Sequence, residues 1–215
     1  MVEMIVLKDR EEWLQHRNRI GGSDAAAIVG MNPYRSNVEL WQIKTGQLEQ
    51  EDISEKPYVK YGTEAEQYLR ELFRLDFPEY TVCYEENNMF LNDKYPFGHA
   101  SLDGWLIDED GRKGIWECKT TNILQSMQKE KWKDRIPDNY YIQVLHYLLV
   151  TGYDFVFLRA YIMSEWGNKK RTTIEDYTIE RSEVEEDLNF LLAEEQKFWK
   201  YVESGRKLPL LLPEI

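Results

Sequence analysis

Asp103, Glu117 and Lys119 are the residues whose types and spacing could do chemistry together, two acids and one amine close in sequence. Glu117 and Lys119 lie in KGIWECKTT, residues 113–121, which reads as a strand with apolar residues at both parities. Side chains alternate faces along a strand, so positions 117 and 119 project to the same side and can share a ligand. Asp103 lies upstream of a turn segment, residues 108–114, which predicts an antiparallel hairpin bringing the two carboxylates close. Parity then decides whether they meet. A two- or four-residue loop centred on Asp110 and Gly111 puts Asp103 on the face opposite Glu117; a three- or five-residue loop, or a bulge, reverses that. With Asp110–Arg112 as the loop, Asp103 stands opposite Lys119 and diagonal to Glu117, all three on one face. Such a cluster is costly to bury unless compensated, and a divalent cation bridging the carboxylates is the usual compensation. Oxygen-only ligands point to Mg2+ or Mn2+. Beside that cation a lysine can orient or deprotonate a water, or neutralise charge growing on a phosphate; both belong to metal-assisted hydrolysis of a phosphodiester. A bare Glu-x-Lys on a strand is more often a surface ion pair of little consequence. Ile115, Trp116 and Cys118 around the charges, and an acid at the right distance upstream, weigh against that here.

The elements that must position these residues follow from capping and periodicity. Asp9 caps a helix over residues 10–18 that the glycines at 21 and 22 close, and a short helix follows Ser23. Ser36 or Asn37 starts a helix over 38–45, stopped by Gly46, and the polar stretch 47–60 reads as a surface loop. Thr63 and Glu66 have capping-box spacing, and Tyr68, Leu69, Leu72, Phe73 and Leu75 give a helical stripe, so a helix is expected over 61–75. The period then changes. YTVCYEE, MFLND, ASLDGWLID and GIWECKTT are short, rich in aromatic and β-branched residues, and separated by turn formers, as in a mixed sheet built from hairpins. Asp138 caps a helix over 140–150 that Gly152 ends, and DFVFLRAYIM has the length of a buried strand with a hairpin partner over 172–179. A long amphipathic helix over 182–204 stops at Gly205, and the apolar tail 208–213 is expected to dock on a neighbour. Central strands with helices before and after give an α+β (α/β) fold, a central mixed β-sheet flanked by helices, expected as one domain across the 215 residues.

Composition narrows the class. With 27 basic and 39 acidic residues the net charge is −12, which excludes nucleic-acid binding by general basicity and requires a local positive patch or bridging metal. Acids concentrate in 49–66 and 175–195; bases form two groups, Arg17, Arg19 and Arg35, then Lys129, Lys131, Lys133 and Arg135. The second group, as a charge run, is more often a solvated face than a DNA track. Cys83 and Cys118 have no partner at ligand spacing, so neither a zinc site nor an iron–sulfur cluster is expected, and His16, His99 and His146 read as structural. No stretch approaches the roughly 18 apolar residues of a membrane span, and the first residues lack the pattern of a secretory signal, so a cytoplasmic location is expected.

SLDG, residues 101–104, followed by WECK, residues 116–119, resembles the catalytic motif of the PD-(D/E)xK nucleases, with Leu102 where that family usually has proline. Three further segments are similar to one branch, the lambda exonuclease or YqaJ-like viral recombinase family: RNRIGGSDAAAIVG at 17–30, YGTEAEQ at 61–67 and NYYIQVLHYLLVTG at 139–152. The resemblance implies a restriction-endonuclease-like core, with Asp103 and Glu117 as metal ligands, helped by the Cys118 carbonyl, and Lys119 as the catalytic lysine. It further implies Glu66 as an auxiliary acid reaching the metals through water, Gln143 positioning the nucleophile or the lysine, and Tyr147 supporting the site. Ser23 would hold a DNA phosphate together with either Arg17 or Arg19. The activity implied is a Mg2+-dependent alkaline exonuclease, Mn2+ substituting, that digests one strand of linear double-stranded DNA from the 5′ end and leaves 3′ tails for recombination. A ring-shaped homotrimer, a single-strand annealing partner and a phage or prophage origin in a bacterial host come with it. An endonuclease or structure-specific nuclease of the same fold, and a non-catalytic DNA-binding module, are the alternatives.

Overall fold

The computed structural model describes residues 1–123, 132, 133, 135–166 and 169–211. Its strands are β1 (Val2–Val6), β2 (Thr81–Cys83), β3 (Asn88–Asn92), β4 (Gly104–Ile107), β5 (Lys113–Ile123), β6 (Phe155–Trp166) and β7 (Lys169–Glu180). Its helices are α1 (Arg10–His16), α2 (Gly22–Ile28), α3 (Asn37–Lys44), α4 (Pro57–Asp76), α5 (Asp138–Thr151) and α6 (Glu185–Ser204). Five strands form a mixed sheet in the order β2-β4-β5-β6-β7, in which only the β5–β6 pair is parallel; β1 and β3 pair separately. A parallel neighbour needs a crossover, and α5 lies in the segment that returns from β5 to β6.

Alternation along β5 sorts its residues between two layers. Ile115 packs with Val144, Leu145 and Leu148 of α5 and with Val156 and Leu158 of β6; Trp116 and Cys118 face Leu69 and Phe73 of α4. Glu117 and Lys119 share parity with Ile115 and so face α5. A third cluster joins α2, α3 and α6 through Ile28, Leu40, Trp41 and Phe198, and takes in Leu208. The described part of the tail, to residue 211, is tied to α3: the Asn37 side chain donates to the Pro209 carbonyl and accepts from the Leu211 N–H, and residues 212 and 213 lie outside the described residues. The far end of α4 is tied to the sheet by Arg159 of β6, whose guanidinium bonds both Asp176 oxygens and Asp76.

Several sequence expectations shift. α4 begins at Pro57, because proline at the first helical turn starts a helix well; Thr63 therefore lies inside it, and Glu66 bonds Arg70 rather than closing a capping box. Ser36, not Asn37, caps α3, and Gly21 precedes α2, leaving Ser23 inside the first turn. The first strand is unannounced in sequence because most of its residues are exposed and its partner is distant. His146 and His99 meet: one His146 nitrogen faces the His99 carbonyl at 2.9 Å and the other faces Glu195, which also binds the Tyr95 hydroxyl. Both nitrogens face acceptors; burial pushes the His146 pKa down, but Glu195 overrides it and raises it above its ordinary value. Lys133 and Arg135 are exposed, while Lys129 and Lys131 lie outside the described residues.

α2 crosses α5 at one close point. A Cβ on Gly22 would stand 2.4 Å from a Tyr147 ring carbon and 3.0 Å from Gln143 Cγ. Alanine at a helical position ordinarily gains up to about 1 kcal/mol over glycine, but this collision is with a buried ring that cannot move aside freely. Gly22→Ala is therefore expected to destabilise by about 1–3 kcal/mol in urea unfolding; a gain in stability would show that α2 and α5 are not packed this tightly.

Candidate active site

The β4–β5 ladder runs from Gly104–Trp116 to Ile107–Lys113, leaving a five-residue turn, 108–112. The Asp108 side chain sets that length: its Oδ1 accepts from the N–H groups of Asp110 and Arg112, with Gly111 at φ 79°. This is the parity that turns Asp103 to the Glu117 face, although Asp103, one residue before β4, stands across from Glu117 rather than Lys119. One Asp103 carboxylate oxygen accepts from the Cys118 N–H at 3.0 Å.

Glu117 is 1% exposed. Its Oε1 accepts from Lys119 Nζ at 2.6 Å and from Gln143 Nε2 at 2.9 Å, and the same Gln143 nitrogen lies 2.8 Å from the Tyr147 hydroxyl. Gln143 and Tyr147 are one turn apart on α5, which presents both to β5. Lys119 also lies 5.0 Å from the centre of the Tyr140 ring. The other Glu117 oxygen, Oε2, is buried and has no hydrogen-bond partner among the described residues.

The segment carrying Asp103 is held residue by residue. Trp13 of α1 donates to the Ser101 hydroxyl at 2.8 Å, and Asn88 of β3 pairs with both the N–H and the carbonyl of Leu102 at 2.9 Å. A proline at 102 would lack that N–H, which gives a physical reason for leucine there. Arg70 of α4 donates to the Asp103 carbonyl and to Glu66, bringing Glu66 in from the second layer.

The loop before α2 is fastened from behind. Lys44 Nζ lies 2.7 Å from Asp24 and donates to the Arg19 carbonyl at 2.6 Å, and Asp24 accepts from the Gly21 N–H. Burial pushes the Asp24 pKa up, but Lys44 and Arg17 override it and hold the carboxyl at about 2. Arg17 packs against the Trp13 ring and donates to the Ser23 hydroxyl at 2.9 Å; Arg19 instead bonds the Pro96 carbonyl. Arg17 and Ser23 are thus brought together and Arg19 is not. The sequence reading passes over Trp13, Lys44, Arg70 and Asn88; of these only Arg70, one turn after Glu66, carries a local signal.

Electrostatically the acids are under strain from burial and from one another. Burial, then the charge on Asp103, raises the pKa of both Glu66 and Glu117; burial opposes the charge on Lys119, yet Glu117 and Asp103 keep it an ammonium. An orphaned, buried carboxylate oxygen beside a second carboxylate is the donor chemistry that a hard divalent cation fits. Among the described residues no three acidic, histidine or cysteine side chains converge as a ready cage. A cation here would draw on Asp103, Glu117, a main-chain carbonyl and water.

Residues 12–154 match the profile of the YqaJ-like viral recombinase domain. The "Uncharacterized protein YqaJ" of Bacillus subtilis (strain 168) is 33% identical over 205 residues, 94% of this chain and 59% of that protein, so the chain spans about three fifths of that relative. An alkaline exonuclease (LHK-Exo) from Laribacter hongkongensis is similar in fold, with TM-score 0.64, 17% identity, and 91% of this chain and 93% of that chain covered. LHK-Exo in complex with dAMP gives 0.62 at 19% identity with the same coverage. A phage related exonuclease from Haemophilus somnus 129PT gives 0.57 at 14%, covering 87% of this chain and 96% of that one. At these identities the likeness to the solved structures is one of fold. No helix among the described residues is long and apolar enough to cross a membrane.

The raised carboxyls have a measurable consequence. Glu66 and Glu117 are pushed from the ordinary 4.5 up to about 8, so the metal-free fold holds protons that the unfolded chain has released. Its stability should fall as pH rises from about 5 to 8, by at most about 1.4 kcal/mol per pH unit for each proton held. Urea midpoints taken in EDTA should show this decline, shallower in Glu117→Gln and shallower again with Mg2+. A decline unaffected by either change would mean these acids are not its source.

Proposed function

The chain belongs to the YqaJ-like viral recombinase family, and from that premise we propose that it is a Mg2+-dependent exodeoxyribonuclease that digests one strand of linear duplex DNA, 5′ to 3′, leaving 3′ single-stranded tails. The observation that carries the reading is the convergence of Asp103, Glu117 and Lys119 on one face, with a Glu117 oxygen left unpartnered in the interior. The fold likeness to an alkaline exonuclease and to a phage related exonuclease supports an enzyme that works from an end.

In this reading Asp103, Glu117 and the Cys118 carbonyl hold Mg2+, or Mn2+ in its place, and Glu66 reaches it through water. Bound there, the cation supplies Lewis acidity toward the phosphate and a water made more acidic. Lys119, held as an ammonium by its acidic neighbours, places positive charge where the phosphate gains negative charge, so it acts as a stabilising and orienting group. Gln143 fixes the Glu117 carboxylate with its amide nitrogen, leaving its amide oxygen to accept from the attacking water, and Tyr147 limits how that amide can turn. Arg17 and Ser23, already paired, bind a backbone phosphate; Arg19 holds the neighbouring turn. A homotrimer encircling the duplex, a single-strand annealing partner and a phage origin belong to the same proposal.

Release of nucleotides from linear duplex in Mg2+ tests it. Wild type should be active and blocked by EDTA, and Lys119→Ala should lose at least about 100-fold in rate. A covalently closed circle should stay intact, and its cleavage would make the enzyme an endonuclease. Wild type and Lys119→Ala equally inactive on linear duplex would sink the enzyme reading.

A further inference from the structure

Arg70 is 6% exposed, a guanidinium enclosed by protein. Its NH1 donates to Glu66 Oε1 at 3.0 Å and to the Asp103 main-chain carbonyl at 2.6 Å, so one nitrogen joins the acid on α4 to the acid before β4. The guanidinium carbon stands 3.6 Å from the centre of the Tyr84 ring and 5.9 Å from that of Trp116. Its stem passes over Gly104, where a Cβ would stand 3.6 Å from Arg70 Cδ and 3.1 Å from the Cys83 carbonyl oxygen. One turn on, Arg74 donates to the Val82 carbonyl, so α4 is docked on the β2–β4 edge through two arginines and main-chain oxygens.

We propose that Arg70 is a positioning residue of the metal site: it fixes the Asp103 backbone and the Glu66 carboxylate together, so that both acids face the space beside Glu117. The proposal rests on the metal-dependent reading above. Two roles for this arginine make opposite predictions. If it only balanced the charge of Glu66, Asp103 and Glu117, its removal would leave a more negative site and tighten cation binding. If it sets geometry, removal lets the Asp103 segment and Glu66 relax apart, and binding weakens; outer partners of metal ligands commonly matter by about 10–100-fold in affinity. The Tyr84 ring contact and the shared nitrogen favour geometry. Lysine separates the two further, because its ammonium keeps the charge but ends one bond short of the position from which NH1 meets both oxygens.

The test is calorimetric titration of DNA-free protein with Mn2+, with circular dichroism to verify the fold and turnover measured across Mg2+ concentrations. Arg70→Met should weaken Mn2+ binding by about tenfold or more. Arg70→Lys should fall between it and wild type, with its turnover recovering at high Mg2+. Should Arg70→Met not fold, Arg70→Lys decides: affinity equal to wild type overturns the proposal. Binding in Arg70→Met that is unchanged or tighter overturns it too. Wild type that binds no Mn2+ overturns the metal reading itself and this role with it; wild type that binds normally while both variants match it overturns Arg70 alone.

Discussion

The Glu117 carboxyl group sits in the interior, on the strand whose neighbours Ile115 and Trp116 are fully enclosed, and the surrounding elements answer to that buried acid. An unpaired carboxylate in such a place would protonate or pull the strand toward water. Lys119 and Gln143 satisfy one oxygen and leave the other open. β5 must therefore be central, so that α5 can bring Gln143 over it, and the β4–β5 turn must have the length that turns Asp103 to the same face.

The supporting contacts share one style. Several segments around the site are gripped through the main chain by a side chain from elsewhere: Leu102 by Asn88, Asp103 by Arg70, the Arg19 carbonyl by Lys44. Such bonds are satisfied in one arrangement only, so they hold acids and arginines in place against mutual repulsion and attraction. Gly22 joins α2 to α5, because the first turn of α2, which carries Ser23, can approach α5 only where no Cβ intervenes. Disturbing that turn is thereby coupled to Tyr147 and Gln143, and through Gln143 to Glu117.

Much of this is legible in sequence, and the rest is hidden for identifiable reasons. The shared face of Glu117 and Lys119 follows from strand periodicity, and the central mixed sheet follows from the change of period after Pro78. The register is not readable, since the Asp108 side chain decides it by bonding two N–H groups across the turn. Thr63 and Glu66 mimic a cap because the spacing is right, but Pro57 starts the helix earlier and frees Glu66 for Arg70. Asn88, Lys44 and Trp13 give no signal at all, because what they bind is remote main chain or a single hydroxyl. Leu102 looks like a departure from motif until its N–H is seen to be in use.

A crystal grown in Mn2+ and measured at the manganese absorption edge would test the central claim most directly. An anomalous peak bonded to the Asp103 and Glu117 carboxylates and the Cys118 carbonyl, with Glu117 Oε2 among its ligands, is the predicted result. A well-ordered crystal with no manganese there, and Glu117 Oε2 turned onto a protein donor, would contradict it.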